Sequence, residues 1–328
     1  MPRIAIVTPA GAGARNGNRH TALRWAAFLR AAGHRVSVAV AWDGKACDLL
    51  VALHARRSHD SVARYRRAHP NGPLCVVLTG TDLYRDLPGS PEARRSLELA
   101  DRLIVLQDEA LRRLSPRLRR KARVVYQSAA ARARRALPGR VFRVAVIGHL
   151  REEKDPFRAV AALERLPREL PVEVVHLGAA LSPAMAREAR RRMHNDPRYR
   201  WLGGVPHPRA LGWLARSHLL VVSSRMEGGA NVIAEAARVG TPVLASSVPG
   251  NIGMLGRGHP GYFPLGDERS LARLLARAQR EAEFYRRLRR ALAARRALFA
   301  PAAERAALAN ALRGLMRPSA RGSGAATR

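Results

Sequence analysis

The sequence predicts an α/β protein made of two parallel-sheet domains, and three observations support this fold class. The chain has 328 residues, a length that suits two domains of ordinary size. Short apolar runs alternate with longer helical stretches rich in Arg, Ala and Leu, which is the pattern of parallel β-α-β units. The alternation stops at Ala129–Arg140, a segment without apolar periodicity that ends in a Pro-Gly pair, and then starts again.

The first domain is predicted to hold six strands and at least two helices. A Gly-rich loop, Pro9–Arg19, follows the first strand. A helix from about Thr21 to Ala32 then ends at Gly33, because glycine is the residue type that commonly terminates helices. A second helix is expected over Ser58–Arg67. The predicted strands are Ile4–Thr8, Arg35–Val40, Leu49–Leu53, Leu74–Leu78, Leu103–Leu106 and Arg123–Tyr126.

The second domain repeats the alternation of strands and helices. Its predicted strands are Phe142–Ile147, Val172–Leu177, Tyr199–Leu202, Leu219–Val222 and Pro242–Ala245. Its predicted helices are Pro156–Leu166, Ala230–Val239, Glu268–Ala278, Glu281–Leu298 and Ala302–Leu315. We therefore assign residues 1–135 to an N-terminal domain and 141–316 to a C-terminal domain, and we expect residues 317–328 to be a disordered tail. Open α/β sheets bind ligands at the carboxyl ends of their strands, so we expect a cleft between the domains.

The composition is strongly basic, with a formal net charge of +34. Of the 59 basic residues only Lys45, Lys121 and Lys154 are lysines, so 56 are arginines. A basic surface is typical of nucleic-acid-binding proteins. These arginines, however, are spread over predicted helices, with no basic tail or RNA-binding motif. We interpret the charge as one that favours anionic substrates, and an Arg-rich nucleic-acid or polyanion binder stays as an alternative of another class.

The cysteine content and the apolar runs indicate a cytoplasmic protein. Cys47 and Cys75 lie in or beside apolar runs, and two cysteines do not make a disulfide framework. No segment approaches the roughly 20 apolar residues of a membrane helix, so we expect no membrane insertion. The chain runs from Met1 into a strand pattern and not into a signal peptide. The sequence does not predict the oligomeric state.

The segment Ser223–Ser246 contains the most informative pattern. A strand ends near Ser223, and Glu227, Gly228 and Gly229 precede a helix that Gly240 closes. Glycines at a helix start let backbone amides approach an anion, and the helix dipole adds about half a positive charge there. This suits a diphosphate.

Glu227 and Glu235 flank this helix start with a spacing of eight residues. A carboxylate accepts hydrogen bonds from hydroxyl groups. One glutamate can hold a sugar and the other a ribose, on either side of a diphosphate. The alternative is a capped surface helix with two solvated glutamates.

Three loops of the first domain, each after a predicted strand, form a polar and cationic set with few aromatic residues. The loops are Pro9–Trp25, Leu53–Ser58 and Leu78–Leu87. They offer Asn18, Arg19, Thr21, His54, Arg56, Arg57, Ser58, Thr79, Thr81, Asp82 and Arg85. Such a set suits a small anionic acceptor better than a long glycan or a lipid. The alternative is that each arginine is a solvated side chain of an Arg-rich protein.

The pair Glu227 and Glu235 resembles the E-x7-E signature of retaining GT-B glycosyltransferases of the GT4 kind. The resemblance implies that the first glutamate contacts the donor sugar, the second contacts the ribose, and the residues between them supply amides. The loop "IGHLREEKDP" is similar to the G-R-L-x-x-x-K-G loop that clamps the donor diphosphate in that family. His149 stands where the pattern has Arg, and Asp155 stands where it has Gly, so His149 or Arg151 is expected to supply the missing cation.

The resemblance assigns one set of residues to the donor. The expected donor-binding residues are Gly148, His149, Arg151, Lys154, Glu227, Gly228, Gly229, Ala230, Asn231 and Glu235. Lys154 is notable because lysine is rare in this chain, which indicates that a compact ammonium is required there. The alternative is a solvated loop at a helix start.

The motifs "GNRHTALRWA", "LVALHARRS", "LTGTDLYRDLPGSPEARRSLELADRLIVLQ" and "VVHLGAALSPAM" extend the resemblance over nearly the whole chain. With the donor-domain motifs, they resemble the selenosugar synthases of selenoneine biosynthesis, which have a GT-B fold with two Rossmann-like domains facing across a cleft. The resemblance implies that a UDP-sugar, usually UDP-N-acetylglucosamine, and selenophosphate are the substrates. It also implies a C–Se bond in the product, a 1-selenosugar. The acceptor domain would then be residues 1–135 and the donor domain residues 141–316.

For this reaction we expect catalytic roles for His54, Asp82, Lys154 and Glu227. Stabilising the departing UDP and an oxocarbenium-like sugar is the main task, since selenophosphate is already a good nucleophile. His54 or Asp82 would handle protons. The sequence contains no Asp-x-Asp motif, so we expect no metal and no cofactor. Closure of the cleft is expected to exclude water.

Two other enzyme classes are alternatives to this interpretation. An ordinary GT4-type enzyme would act on a carbohydrate or lipid-linked acceptor, and an aromatic, amphipathic groove in the first domain would favour it. A phosphorylase-like enzyme would need a cofactor lysine motif, which the sequence lacks. Salt-dependent RNA binding without release of UDP would favour the nucleic-acid alternative.

Overall fold

The computed structural model describes residues 1–11, 13 and 17–315. The chain divides into two compact units. The first comprises Met1–Val105, Leu114–Val125 and Arg305–Arg328, and the second comprises Leu106–Arg113 and Tyr126–Glu304. The predicted tail, residues 317–328, lies outside the described residues. The assignment of residues 1–135 and 141–316 to an acceptor and a donor domain stays a prediction.

The first unit is built on a parallel sheet of six strands in its described part. The strands are β1 (Arg3–Val7), β2 (Arg35–Ala39), β3 (Leu49–Leu53), β4 (Leu74–Leu78), β5 (Arg102–Val105) and β6 (Ala122–Val124). They lie in the order β2-β1-β3-β4-β5-β6, so the strand order reverses between β1 and β3. Every residue of β3 and β4 is buried, as expected for central strands covered on both faces.

The second unit holds the other parallel sheet, again with six strands among the described residues. The strands are β7 (Phe142–Ile147), β8 (Val172–Leu177), β9 (Tyr199–Trp201), β10 (Leu219–Val222), β11 (Val243–Ser246) and β12 (Tyr262–Phe263). Their order is β12-β11-β10-β7-β8-β9, which reverses between β7 and β10. The loops after β7 and β10 therefore diverge at the switch point, where ligands bind in such sheets.

Helices connect the strands in both sheets. In chain order they are α1 (Gly17–Ala31), α2 (His59–Ala68), α3 (Leu87–Gly89), α4 (Pro91–Leu99), α5 (Pro116–Arg120), α6 (Arg158–Leu163), α7 (Pro183–Asn195), α8 (His207–Ala215), α9 (Asn231–Val239), α10 (Pro249–Leu255), α11 (Glu268–Arg280), α12 (Ala282–Arg295) and α13 (Pro301–Leu312). Gly33 follows α1 with a φ of +90°, a left-handed conformation that glycine adopts without strain. Within the described part of the chain, no helix combines the length and apolar character needed to cross a bilayer.

The predicted strands are confirmed, with ends that shift by one or two residues. β12 was not predicted because it is only two residues long and carries no periodicity. Ala129–Arg140 forms neither helix nor strand, as expected. The amide of Ala129 donates to the carbonyl of Phe299 at 3.1 Å. Arg134 donates to the carbonyls of Ser217 and Gly240 at 2.9 and 2.8 Å, so this segment is fastened to the second unit.

Candidate functional site

Lys154 and Glu227 form an ion pair at the carboxyl edge of the second sheet. Lys154 follows β7 and Glu227 follows β10, and these strands are neighbours at the switch point. Nζ of Lys154 lies 2.5 Å from Oε1 of Glu227. The two side chains are 24% and 9% exposed, so the pair is largely withdrawn from water while the ammonium still reaches it. The fold thus brings together two of the predicted donor residues.

Glu227 is held through one of its two carboxylate oxygens. The hydroxyl of Ser224 donates to Oε1 at 2.5 Å, the same atom that receives the Lys154 ammonium. In the described part of the chain, Oε2 has no hydrogen-bond partner. This oxygen is therefore available to accept a hydrogen bond from a ligand hydroxyl.

The pair borders a small pocket that is partly open to solvent. Its lining includes Gly148, Lys154, His176, Ser224, Glu227 and Val232. Gly178 lets the loop after β8 pack against the loop after β7, since an added Cβ would lie 1.8 Å from the carbonyl oxygen of Gly148.

His176 on β8 holds the backbone of Gly148 through a hydrogen bond. The ring is buried, its Nε2 lies 3.2 Å from the carbonyl oxygen of Gly148, and its Nδ1 lies 3.1 Å from the hydroxyl of Tyr199. Burial lowers the pKa of His176 to about 4, so the ring is neutral near pH 7. A neutral ring donates from Nε2 to the carbonyl and accepts at Nδ1 from the tyrosine.

Asp155, which stands where the G-R-L-x-x-x-K-G pattern has glycine, adopts a backbone conformation typical of glycine. Its φ of +44° places it in the left-handed region, which glycine adopts easily and which Asp and Asn tolerate better than most residues. Arg158 donates to the Asp155 carboxylate at 2.8 Å, and the Ser223 hydroxyl donates to the Asp155 carbonyl at 2.9 Å. The position that the family fills with glycine therefore keeps the glycine conformation here, held by side-chain contacts.

The two predicted substitutes for the missing cation have different surroundings. Nδ1 of His149 accepts a hydrogen bond from the amide of Ala179 at 3.1 Å, so this ring binds the loop after β8. Arg151 is exposed and precedes the short helical turn Glu152–Lys154. Arg151 is thus the better placed of the two to meet an anion from solvent, and its role stays a prediction.

Helix α9 begins directly after the glycine turn, and its first amides have no protein acceptor within the described part of the chain. Ala230 is the N-cap and has no side-chain oxygen to accept them. Across the described residues, no protein group accepts a hydrogen bond from the amides of residues 228–232. Gly229 has no room for a side chain, because an added Cβ would lie 2.8 Å from Cβ of Leu106. Unpaired amides and the helix dipole together favour an anion at this place.

Glu235 lies in α9 and pairs with a histidine that the sequence analysis did not consider. Its Oε1 lies 2.7 Å from Nε2 of His207, the first residue of α8. The Glu235 side chain is 14% exposed and that of His207 is 56% exposed. The hydrogen bond with Glu235 raises the pKa of His207, and burial and Arg132 oppose this shift.

The raised pKa of His207 predicts a pH dependence of folding stability. The protonated ring is favoured in the folded state, so its contribution is complete below the ordinary pKa of about 6.5 and is lost as the pH rises through the raised value. We expect the stability difference between the wild type and His207→Gln to shrink from about pH 6 to about pH 9. Thermal unfolding of both proteins measures it, with the exposed His194→Gln as control. A difference that is constant with pH would contradict the ion pair.

His54 lies directly after β3, at the carboxyl edge of the first sheet and at the point where its strand order reverses. Its φ of +74° is uncommon for a residue other than glycine, and such conformations concentrate at functional sites. The ring is buried, its Nε2 lies 3.0 Å from Oγ1 of Thr81, and its Nδ1 accepts from the amide of Arg57 at 3.3 Å. Burial lowers the pKa of His54, so the ring is neutral near pH 7 and holds its proton on Nε2.

Asp82 organises the backbone around this histidine. The residue is fully buried, and its carboxylate accepts hydrogen bonds from four backbone amides, those of Ala55, Thr79, Gly80 and Leu83. It also starts a π-helical turn over residues 82–86, a rare feature that is frequent at functional sites. Both carboxylate oxygens are engaged by backbone amides, which suits a residue that positions this loop. The predicted proton-handling role of His54 or Asp82 stays a prediction.

Asp86 joins two arginines that were predicted to bind the acceptor. Its Oδ2 lies 2.9 Å from Nε of Arg56 and 3.8 Å from Nε2 of His54, and its Oδ1 lies 3.5 Å from Nε of Arg85. The Asp86 side chain is 5% exposed, whereas those of Arg56 and Arg85 are 44% and 45% exposed. Each arginine therefore contacts Asp86 through Nε while almost half of its side chain stays exposed.

The other predicted acceptor residues fall into two groups. Thr21 and Ser58 are buried, and their hydroxyls donate to the carbonyls of Gly17 and Leu53 at 2.8 and 2.6 Å. Their predicted acceptor role stays a prediction. The second group lies at the carboxyl edge of the sheet or in the first turn of α1. It comprises Asn18, Arg19, Arg57, Thr79 and Thr81. Their roles stay predictions.

The sequence analysis did not single out Ser224, His176 or Asp86. Ser224 is the second serine of "SSRMEGG", three residues before Glu227, and its position after a strand was the available signal. His176 is the penultimate residue of a buried strand, and Asp86 lies four residues after Asp82 on a helical turn. Neither position distinguishes a functional side chain from a structural one before the contacts are known.

Solved structures share this architecture along almost the whole chain. HepE from Anabaena in complex with UDP and glucose has a TM-score of 0.75 and 16% identity, covering 95% of this chain and 99% of that chain. Sucrose-phosphate synthase from Thermosynechococcus elongatus has a TM-score of 0.76 and 18% identity, covering 96% and 99%. At these identities the likeness concerns the fold, and it confirms the predicted α/β fold of the GT-B type.

A family comparison reaches beyond the fold. The profile of the family described as "Glycosyl transferases group 1" matches residues 127–295, a little more than half of the chain. The matched range contains the loop after β7, the Lys154–Glu227 pair and the start of α9. The chain therefore belongs to the glycosyl transferases group 1 family.

Proposed function

We propose that this glycosyltransferase uses a UDP-sugar, UDP-N-acetylglucosamine in particular, as donor and selenophosphate as acceptor, and forms a 1-selenosugar. The observation that carries the donor half is the Lys154–Glu227 pair beside the open amides of residues 228–232. The amides and the ammonium suit a diphosphate, and the free carboxylate oxygen suits a sugar hydroxyl. HepE, which shares the fold, is described with UDP-glucose as well as with UDP.

The acceptor half of the proposal is supported by the polar cluster of the first unit. Arg56 and Arg85 present guanidinium groups to solvent, and Arg57 adds a further exposed cation. Guanidinium groups bind phosphate-like oxygens through several parallel hydrogen bonds. Asp86 offsets part of this charge and holds the two guanidinium groups in place. A small dianion such as selenophosphate fits this chemistry, whereas a long apolar acceptor does not.

In the proposed reaction, selenium of selenophosphate attacks C1 of the sugar. The C–Se bond forms, the bond between C1 and the oxygen of UDP breaks, and the electron pair leaves with UDP. Water then cleaves the Se–P bond, which releases phosphate and leaves the selenol of the sugar. Lys154 and the amides before α9 would stabilise the charge on departing UDP, Glu227 would orient the sugar and Glu235 the ribose. We propose that no bound metal or cofactor takes part, since the sequence contains no Asp-x-Asp motif.

Mass spectrometry of the products tests this proposal directly. The protein is incubated with UDP-N-acetylglucosamine and selenophosphate, and we expect UDP, phosphate and a selenium-containing N-acetylglucosamine. Glu227→Gln, which keeps the size of the side chain but removes its charge, is the matched control and should give little product. Transfer to a sugar from a panel of carbohydrate acceptors, with no selenium product, would support an ordinary GT4-type enzyme instead. RNA binding without release of UDP would support the polyanion binder.

A further inference from the structure

A chain of buried hydrogen bonds runs behind Glu227 to a part of the fold that no donor prediction included. The side-chain amide of Asn251 in α10 donates from Nδ2 to Oγ of Ser246 at 3.0 Å and to its carbonyl at 3.1 Å. Oγ of Ser246 donates to the carbonyl of Ser224 at 2.6 Å, and Oγ of Ser224 donates to Glu227. Ser224 is 2% exposed, and Ser246 and Asn251 are fully buried.

The donors in this chain have a fixed direction. Nδ2 of Asn251 can only donate, so Oγ of Ser246 receives that hydrogen bond and must direct its own proton elsewhere. The carbonyl of Ser224 takes it. Ser224 is thereby held by its backbone, and its hydroxyl meets Oε1 of Glu227 together with the Lys154 ammonium. Oε1 is thus engaged by two donors, which leaves Oε2 for a ligand.

The backbone of Glu227 is held from a second side by α10. An added Cβ on Gly250 would lie 2.0 Å from the carbonyl oxygen of Glu227, so the start of α10 packs directly against this backbone. Polar groups at fully buried positions are costly unless they are hydrogen-bonded. Apolar residues would serve a purely structural position at lower cost, whereas here two polar residues lead to a single carboxylate.

We propose that Ser246 and Asn251 are positioning residues of the donor site, acting through Ser224 to fix Glu227 so that Oε2 binds the sugar of the donor. The inference rests on the proposed role of this pocket as the donor site. Breaking this series of hydrogen bonds is therefore expected to weaken binding of the sugar and to leave binding of UDP nearly unchanged. The reason is that the proposed diphosphate contacts come from Lys154 and the start of α9.

Calorimetry with UDP and with UDP-N-acetylglucosamine tests the proposal on Ser246→Ala. The matched control is Ser217→Ala, since Ser217 is also fully buried in the same unit and its hydroxyl donates to the carbonyl of Trp213 at 2.8 Å. We expect Ser246→Ala to weaken binding of UDP-N-acetylglucosamine about fivefold to tenfold, the effect of one lost hydrogen bond, and to change UDP binding by less than about twofold. Ser217→Ala should leave both affinities unchanged.

Two results would overturn the positioning role. One is an equal loss of affinity for UDP and UDP-N-acetylglucosamine in Ser246→Ala, and the other is behaviour identical to that of Ser217→Ala. Should Ser246→Ala fail to fold, the same affinities are measured on Asn251→Ala. This variant keeps the Ser246 hydroxyl but removes the hydrogen bond that orients it. Glu227→Gln distinguishes a failure of the donor-site assignment from a failure of the positioning role. If it leaves the affinity for UDP-N-acetylglucosamine unchanged, the donor site itself is misassigned. If it weakens that affinity while Ser246→Ala does not, only the positioning role fails.

Discussion

Replacing Lys154 with alanine is expected to lower turnover by well over tenfold. A charged group that stabilises a departing phosphate is worth about 2–4 kcal/mol in the transition state. The substitution also leaves Glu227, whose side chain is only 9% exposed, without its ammonium partner. Removing one member of a buried pair is costly because the other charge stays withdrawn from water. Steady-state release of UDP, with the melting temperature measured alongside, separates the loss of catalysis from a loss of stability.

Two further variants test whether the loss of turnover depends on the ammonium group at position 154. Lys154→Arg keeps a positive charge but replaces a compact ammonium by a planar guanidinium, so we expect partial recovery of turnover. Lys121→Ala is the matched control from the first unit, since Lys121 donates to the carbonyls of Glu98 and Ala100 at 3.1 and 2.6 Å. It should change stability and leave UDP affinity as in the wild type. Near-normal turnover of Lys154→Ala would remove this residue from the site.

The strands were predictable because most of them coincide with short runs dominated by apolar residues. β3, β4 and β10 have the predicted ends, since each is an unbroken series of apolar residues. β7 and β8 also have the predicted ends, although a few polar residues interrupt their mostly β-branched or aliphatic series. The glycine turn and α9 were predictable for a different reason. Glycines before the helix and Gly240 after it, with a φ of +89°, mark both ends of the element.

The contacts of the polar side chains were not predictable to the same degree. Asp155 departs from the family glycine in sequence, and only its φ of +44° shows that the conformation is retained. Asp82 and Asp86 are aspartates on the same short turn. Nevertheless, Asp82 accepts from backbone amides, whereas Asp86 binds guanidinium groups. Which partner a carboxylate finds depends on residues from other elements, and the periodicity of one segment carries no information about them.

Replacing Arg56 with alanine is expected to weaken the use of selenophosphate far more than the binding of the UDP-sugar. Arg56 is anchored to Asp86 through Nε and is 44% exposed, so its remaining N–H groups can meet an anion. Hydrogen bonds to charged groups contribute about 1.5–3 kcal/mol, so the KM for selenophosphate should rise roughly tenfold to hundredfold. Removing Arg56 also leaves Asp86 with one guanidinium fewer, and its negative charge then repels the acceptor more strongly. Initial rates at varied selenophosphate, with the Kd of UDP from calorimetry, measure both effects.

Arg3→Ala is the matched control for this prediction. Arg3 has a similar exposure, 48%, and also faces an aspartate, with 3.8 Å between its Nη2 and Oδ1 of Asp48. It lies at the first residue of β1, at the amino edge of the first sheet, whereas Arg56 follows β3 at the carboxyl edge. A change in net charge alone would affect both variants alike, because each removes one positive charge. A loss confined to Arg56→Ala therefore assigns the acceptor to the loop after β3, and equal losses for acceptor and donor would contradict that assignment.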